Sequence, residues 1–231
     1  ALSDLAAYAS TYENLQVSSY SGLGFVVANA AEATINGAEF DLNYQASEKL
    51  RLSLAMGFND GSYDSFPTAG CSSIQQNAIR ALAFNSATGS ADNFSDIVGA
   101  SALGCTQVNA AEAFQDLKGE PLGTDYNGSA QIEYLQPLSS DMMWFTQLDY
   151  NFTDGYFMTG SLDPIDYQDG FSKTNIRTSL NGENWTAMLY GKNITDERKP
   201  TGAAPVPLSS GSHFQYGFEG AVWGASLSYK F

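Results

Sequence analysis

Basic residues, histidine and long apolar runs are all scarce in this sequence of 231 residues, and each scarcity excludes a class of protein. Lysine and arginine number only 10 against 25 acidic residues, which gives a formal net charge of -15. Nucleic acid is therefore excluded as a partner, because phosphate binding requires a basic surface. No run approaches the roughly 18 apolar residues of a transmembrane helix, so a helical membrane protein is excluded too.

The amino-terminal segment lacks the basic start and apolar core of a signal peptide. We therefore expect that an exported protein with this sequence is a processed or truncated product. The length alone allows one or two soluble domains, or part of a larger barrel.

The sequence has one histidine, His213, in a predicted loop with no neighbour in sequence that would orient it. A Ser-His-acid triad and a histidine-based metal site would both depend on this residue. We therefore predict no catalytic residue, no metal site and no cofactor. Asp163, Asp166 and Asp169 offer oxygen ligands of the kind calcium uses, but their spacing does not match an EF-hand. We interpret them as a solvated acidic loop.

Cysteine is equally rare, with only Cys71 and Cys105, which are too far apart for a CxxC motif. They are either two unpaired thiols or a disulfide. We favour the disulfide, which implies an oxidising compartment. Closing a loop of this size contributes roughly 3–4 kcal/mol to stability in the chain-entropy model.

What the sequence does have is apolar residues in alternation, most clearly over residues 217–231, where the apolar row ends at Phe231. A period of two with one apolar row and one small or polar row indicates a β-strand. The pattern recurs often enough to predict about eight strands. The other seven cover residues 15–20 (followed by Gly22 and Gly24), 34–46, 50–59, 126–135, 142–152, 173–180 and 185–191.

The connections between these strands alternate between short and long. Short turns lie near Ser47, Ser139 and Gly182, and long loops cover residues 60–124, 157–171 and 199–216. Aromatic residues gather at both ends of the strands, as expected for two membrane interfaces. These features predict an all-β, antiparallel transmembrane β-barrel with long extracellular loops. In it Leu148 and Ile176 face lipid, while Arg51, Asp149 and Arg177 face inward.

The loop insertion over residues 60–124 is predicted to fold on itself rather than act as a linker. Residues 74–84 and 109–117 have helical patterns, and Asn109 with Glu112 matches a capping box. We expect the two cysteines to pin this insertion on the extracellular side.

Three segments resemble the carboxyl-terminal third of a TonB-dependent receptor. They are residues 33–41 (ATINGAEFD), 189–197 (LYGKNITDE) and 226–231 (SLSYKF). The resemblance implies that residues 1–231 form the carboxyl-terminal part of one outer-membrane barrel domain of 22 strands. The earlier strands and the amino-terminal plug of that family are not in this chain.

The same resemblance implies a function and a set of partners. The function is active transport of a scarce nutrient, such as an iron–siderophore complex, across the bacterial outer membrane. The partners are the lipid bilayer, lipopolysaccharide, the missing strands and plug, the TonB complex through that plug, and a small-molecule ligand. Loop aromatics are the candidates for ligand capture: Tyr63, Phe66, Tyr156 and Tyr167.

Two other interpretations remain open from the sequence. One is a self-contained eight-stranded barrel with a structural or adhesive role, since eight strands suffice to close a small barrel. The other is a secreted carbohydrate-binding sandwich. As part of a larger wall, the sheet would instead be open, with its first and last strands unpaired with each other.

Overall fold

The computed structural model describes residues 1–20, 25–85, 90–91, 104–109, 112–206 and 212–231. Gly22 and Gly24 lie outside these residues. The described residues contain seventeen strands and one α-helix, in this order: β1 Leu2–Tyr20, β2 Phe25–Gln45, β3 Leu50–Ser65, β4 Ala69–Gly70, α1 Ser73–Ala83, β5 Phe84–Asn85, β6 Ser90–Ala91, β7 Cys105–Asn109, β8 Glu112–Gln115, β9 Tyr126–Ser139, β10 Met142–Thr153, β11 Tyr156–Phe157, β12 Tyr167–Gln168, β13 Phe171–Asn181, β14 Trp185–Lys192, β15 Gly202–Pro205, β16 His213–Tyr216 and β17 Val222–Tyr229. Among the described helices, none has the length and apolar character to cross a membrane.

Eight of the strands form one antiparallel sheet, in the order β1-β2-β3-β9-β10-β13-β14-β17. Every neighbour in this sheet is the next long strand along the chain, so the sheet is a simple meander. Within the described ladders, β1 pairs only with β2 and β17 only with β14. The sheet is therefore open, as expected for part of a larger wall, and it is not the closed eight-stranded barrel of the alternative.

The eight predicted strands are confirmed, but several of their boundaries are corrected. Strand β2 begins at Phe25 rather than at residue 34, β9 ends at Ser139 rather than at residue 135, and β17 covers Val222–Tyr229 rather than residues 217–231. The first strand extends far beyond residues 15–20, because its ladder with β2 runs from Leu2 opposite Asn43 to Tyr20 opposite Phe25. The third strand continues past the predicted end at residue 59 to Ser65, since it remains paired with β2 up to Glu32. Long-range pairing extends strands through segments whose own alternation is weak.

Inside the predicted insertion, one helix is confirmed and the other is wrong. Helix α1 matches the pattern over residues 74–84. Asn109 instead ends β7 and Glu112–Gln115 form β8, which pairs with both β7 and β4. Residues 110 and 111 of the predicted helix lie outside the described part of the chain. The capping-box pattern is a purely local signal, and here it yields to tertiary pairing next to the disulfide.

The register of the large sheet separates an apolar face from a polar one. Leu52, Ile132, Leu148 and Ile176 lie opposite one another on successive strands. Paired residues of an antiparallel sheet lie on the same face, so these four form one apolar row. The neighbouring positions form a polar row on the other face: Arg51, Glu133, Gln147 and Arg177. The apolar row lies on the face expected to contact lipid, and the polar row lies on the face expected to line the barrel interior.

Two glycines of the family-like segments allow aromatic rings to lie against the sheet. A Cβ atom at Gly37 would lie 2.5 Å from Cζ of Tyr8, its partner on β1. A Cβ atom at Gly191 would lie 2.6 Å from Cζ3 of Trp223, its partner on β17. Both positions therefore need glycine because of the cross-strand ring, an arrangement that recurs in curved sheets.

Candidate functional site

The three long connections all leave the sheet at one end and contact each other there. We call them long loop 1 (residues 66–125), long loop 2 (154–170) and long loop 3 (193–221). Long loop 1 contacts long loop 2 through Gln115, whose side-chain Nε2 donates to the Ser161 carbonyl at 2.8 Å. Long loop 2 contacts long loop 3 through the buried side chains of Asp163, Asp166 and His213. This junction is the candidate functional site.

Long loop 1 contributes the start of helix α1, which its own residues hold in place. Ser72 and Gln75 form a capping box: the Ser72 amide donates to Gln75 Oε1 at 2.7 Å, and the Gln75 amide donates to Ser72 Oγ at 3.3 Å. The disulfide between Cys71 and Cys105 closes immediately before this cap, with a Cα–Cα distance of 5.9 Å. The predicted disulfide is therefore present in the structure, and it anchors the amino terminus of α1.

Long loop 2 contributes two carboxylates from a tight turn. A 3-10 helix over Pro164–Asp166 is capped by Asp163, whose Oδ1 accepts the Ile165 amide at 3.1 Å. The second oxygen of Asp163 accepts the Ser73 amide at 2.6 Å. Because the amino terminus of a helix carries partial positive charge, α1 stabilises this carboxylate.

Long loop 3 contributes His213 at the start of β16, which completes the carboxylate–histidine cluster (Asp163, Asp166 and His213). The imidazole Nδ1 lies 2.7 Å from Asp166 Oδ2, and Nε2 lies 3.4 Å from Asp163 Oδ2. Thr159 also donates to Asp166 Oδ2, at 3.2 Å. His213 is therefore oriented by residues distant in sequence: two carboxylates of long loop 2 lie beside its two ring nitrogens.

Burial in the cluster is nearly complete. Asp163 and Asp166 are both 0% exposed, and the His213 side chain is 8% exposed. The expectation of a solvated acidic loop is therefore wrong for these two aspartates, because the neighbouring loops cover them. It holds for Asp169, which is exposed.

The cluster is only partly satisfied by the described residues. Asp166 Oδ1 and Ser73 Oγ are buried and have no hydrogen-bond partner among them. One ligand atom from each of Asp163, Asp166 and His213 lies within 4.8 Å of the others, which is a spacing that could hold a metal ion. No local sequence pattern could have found this group, because His213 lies 47 residues beyond Asp166.

The four aromatic candidates for ligand capture lie in two different environments. Tyr63 and Phe66 are buried, with ring centroids 5.1 Å apart, in a small core with Ala31, Ala33, Ala69 and Leu117. Tyr156 is half-buried and Tyr167 is 47% exposed. Of the four, only Tyr156 and Tyr167 therefore expose ring surface that a ligand can contact while the small core stays intact.

A second polar centre lies where β14 ends, in the segment with the most specific family resemblance. We call residues 193–197 the Asn193 turn. Asn193 is buried with a positive φ of 47°, and its Nδ2 donates to the carbonyls of Glu197 and Glu219 at 3.1 and 2.8 Å. Its Oδ1 accepts the Glu197 amide at 3.0 Å.

The Asn193 turn also holds the start of β17. Asp196 Oδ1 accepts the Ala221 amide at 2.8 Å, and Arg198 lies 3.1 Å from the same oxygen. The Ala221 amide, and then Arg198, hold the pKa of the Asp196 carboxyl below its usual value. The turn therefore positions backbone, and its bonding groups face other protein groups rather than an open site.

Solved structures show the same fold. The chain is similar to the ferric yersiniabactin uptake receptor FyuA from Yersinia pestis, with a TM-score of 0.65 and 11% identity over 99% of this chain and 27% of that one. It is also similar to the siderophore receptor PiuA from Acinetobacter baumannii, with a TM-score of 0.60 and 13% identity over 98% of this chain and 26% of that one. For the copper transporter OprC the TM-score is 0.55, with 12% identity over 99% of this chain and 28% of that one.

The chain thus spans about a quarter of the length of these structures. No curated protein matches it in sequence. The family model described as TonB dependent receptor-like, beta-barrel matches residues 2–194, which is most of the chain. With its open meander of eight strands, this match places the chain in the bacterial outer membrane and shows that it belongs to the TonB-dependent receptor β-barrel family.

Proposed function

We propose that this chain forms part of the wall and the outer vestibule of a receptor that takes up a scarce nutrient, such as an iron–siderophore complex. The observation that carries the proposal is the assembly of three long loops at one end of an open wall. Such loops capture the ligand, while transport belongs to the complete receptor with its remaining strands and plug. FyuA is described as a ferric yersiniabactin uptake receptor and PiuA as a siderophore receptor, and these descriptions support the proposed ligand class.

The polar face of the sheet supports a water-filled interior. Arg177 Nε donates to Gln147 Oε1 at 2.9 Å, and Gln147 Nε2 donates to Asp149 Oδ1 at 2.6 Å. Gln131 Nε2 reaches the same oxygen at 2.8 Å. Arg51 and Glu133 form a looser ion pair at 3.7 Å. These hydrogen-bonded charged and amide side chains along the wall suit contact with water and with a plug. Exposing them to lipid would be costly.

The other proposed partners follow from this placement. The apolar face contacts the lipid bilayer, and the loop end contacts lipopolysaccharide. The two edge strands, β1 and β17, carry unpaired backbone groups that are costly in hydrocarbon. We propose that further strands of the complete barrel pair with both edges. Energy for uptake reaches the receptor from the TonB complex through the plug.

Uptake of labelled iron tests the ligand class. Cells that depend on the intact receptor are starved of iron and offered ferric siderophores labelled with radioactive iron. We expect uptake of at least one ferric siderophore, with loss when the receptor is removed. Receptor-dependent uptake of copper in place of every ferric siderophore would contradict the proposed ligand class.

Among the loop aromatics, Tyr167 is the best placed for ligand capture. Its ring is exposed and stands at 5.0 Å from the Phe157 ring in an edge-on arrangement. Tyr167→Ala should weaken ligand binding by the intact receptor about tenfold, because exposed, held aromatic rings dominate recognition surfaces. Ile165→Ala is the matched control, since Ile165 is equally exposed at 47% in the same loop. Equal loss in both variants would show a general loop effect.

A further inference from the structure

We propose that the carboxylate–histidine cluster binds one divalent first-row transition-metal ion, which joins long loop 2 to long loop 3. The inference stands apart from the transported nutrient, because it concerns an ion held by the protein's own side chains. Asp163 and Asp166 come from one turn of long loop 2, and His213 comes from β16.

Charge is the first reason. Two carboxylates that are both fully buried lie within 4.8 Å of the same histidine ligand atom. Buried like charges repel, and burial itself penalises their charged forms. The amino terminus of α1 offsets part of the charge of Asp163 through the Ser73 amide. A divalent ion with a neutral imidazole neutralises both carboxylates.

The free oxygen of Asp166 is the second and independent reason. Asp166 Oδ2 is occupied by His213 and Thr159, yet Oδ1 of the same buried carboxylate has no partner among the described residues. A buried carboxylate oxygen without a hydrogen-bond partner is costly unless something binds it. A metal ion at this position would use the acceptor that the protein leaves without a donor.

Distances and ligand types indicate the kind of ion. Two ligands of a tetrahedral ion bound at about 2.1 Å lie about 3.4 Å apart. His213 Nε2 and Asp163 Oδ2 are separated by 3.4 Å. An imidazole nitrogen beside carboxylate oxygens favours zinc, cobalt or manganese over calcium, which binds oxygen only.

The test is a metal titration of the intact receptor in detergent. After treatment with a chelator, the protein is titrated with Co²⁺ and followed by visible absorption, and then with Zn²⁺ in competition with a chromophoric indicator. We expect one ion per receptor at this site. His213→Gln and Asp166→Asn, which keep side-chain size and polarity, should each weaken binding at least about tenfold. Asp169→Asn is the matched control, because Asp169 is an exposed aspartate three residues away.

Folding is checked in each variant by the heat-dependent shift in gel mobility of the barrel. The proposal is supported if folded His213→Gln and Asp166→Asn lose the cobalt spectrum while Asp169→Asn keeps it. It is overturned by a wild-type protein that binds no ion, by equal loss in Asp169→Asn, or by displacement of Zn²⁺ with millimolar Ca²⁺. None of these outcomes depends on which nutrient the receptor transports, so uptake of ferric siderophores can succeed or fail separately.

Discussion

Asn193, at the centre of the Asn193 turn, and the carboxylate–histidine cluster are both buried and polar and both lie at the loop end of the sheet, but they differ in how their hydrogen-bonding groups are satisfied. Both polar atoms of the Asn193 side chain bond to backbone groups of the following segment. In the cluster, two carboxylates share one imidazole and one oxygen has no partner. A fully bonded centre stabilises a backbone shape, whereas an incompletely bonded and charged centre is suited to a ligand.

Because their hydrogen bonding differs, the two centres also contribute differently to the free energy of folding. In the Asn193 turn, every bond ends on the protein itself, so removal of the side chain leaves buried backbone groups unpaired. In the cluster, removal of one charge relieves repulsion as well as breaking contacts. The two centres should therefore respond in different ways to comparable substitutions.

The largest expected effect comes from the disulfide, which supports the cluster and not the Asn193 turn. Replacing Cys71 and Cys105 with alanine should lower the stability of long loop 1 by roughly 3–4 kcal/mol. Hydrogen exchange should then rise in α1 and at the Ser73 amide but remain unchanged at the Glu197 amide. In the unmodified protein, thiol labelling under denaturing, non-reducing conditions should find no free cysteine. Quantitative labelling, or equal loosening of both centres, would contradict the expected separation.

Asn193→Ala should cost about 3 kcal/mol of the free energy of unfolding. The substitution leaves the carbonyl of Glu219 and the amide and carbonyl of Glu197 without their partner, and alanine disfavours the positive φ. Denaturant unfolding of the reconstituted protein measures the change. Asn193→Gly is the control that removes the bonds but accepts the backbone angle, so it should cost less. A wild-type midpoint for Asn193→Ala would show that the bonds do not stabilise the turn.

Asp166→Asn tests the contribution of the carboxylate–histidine cluster to stability. In metal-free protein we expect it to change stability by less than about 1 kcal/mol, because relief of repulsion between two buried carboxylates offsets the weaker contact with His213. Denaturant unfolding in the presence of a chelator measures it beside Asn193→Ala. A loss as large as that of Asn193→Ala would mean that the cluster is a stabilising ion pair.

The smallest effect concerns acid pH and Asp196. Its pKa is lowered in the folded state, so its contribution to stability is present above the usual carboxyl pKa of about 4 and is lost as the pH falls through the lowered value. Asp196→Asn should remove this slope below pH 4 and lower stability at neutral pH only slightly, because the contribution of an exposed carboxylate is small. The two pH profiles of unfolding are compared directly. Identical slopes below pH 4 would show that Asp196 does not contribute.

The sequence predicts the wall much better than the site. Alternation identifies each of the eight long strands, because the period of two is imposed by burial of one face. It misses the first half of β1, where the alternation is weak and pairing with β2 supplies the order. The predicted helix over residues 109–117 fails because a local capping pattern cannot foresee the hairpin of β7 and β8.

The Asn193 turn could be recognised as a family segment, although its bonding could not be read from residue types. For the cluster, the sequence drew attention to the aspartates but gave no sign that His213 joins them. Its members lie in two loops, and their proximity depends on the packing of long loop 1 behind them. Charge counting suggested a solvated loop, since isolated aspartates are usually exposed. Only the three-dimensional arrangement shows that two of the three are buried.

The meander of the wall has a kinetic consequence. Each long strand pairs with the next one along the chain, so the wall grows by adding hairpins whose partners are already close. The loop junction instead joins residues separated by as many as 90 positions, from Ser73 to Asp163. It also requires His213, which comes later in the chain than all the other residues of the junction. Chain-entropy costs of this kind delay long-range contacts. The vestibule therefore takes its final shape after the wall, and an ordered His213 marks a barrel segment whose assembly is complete.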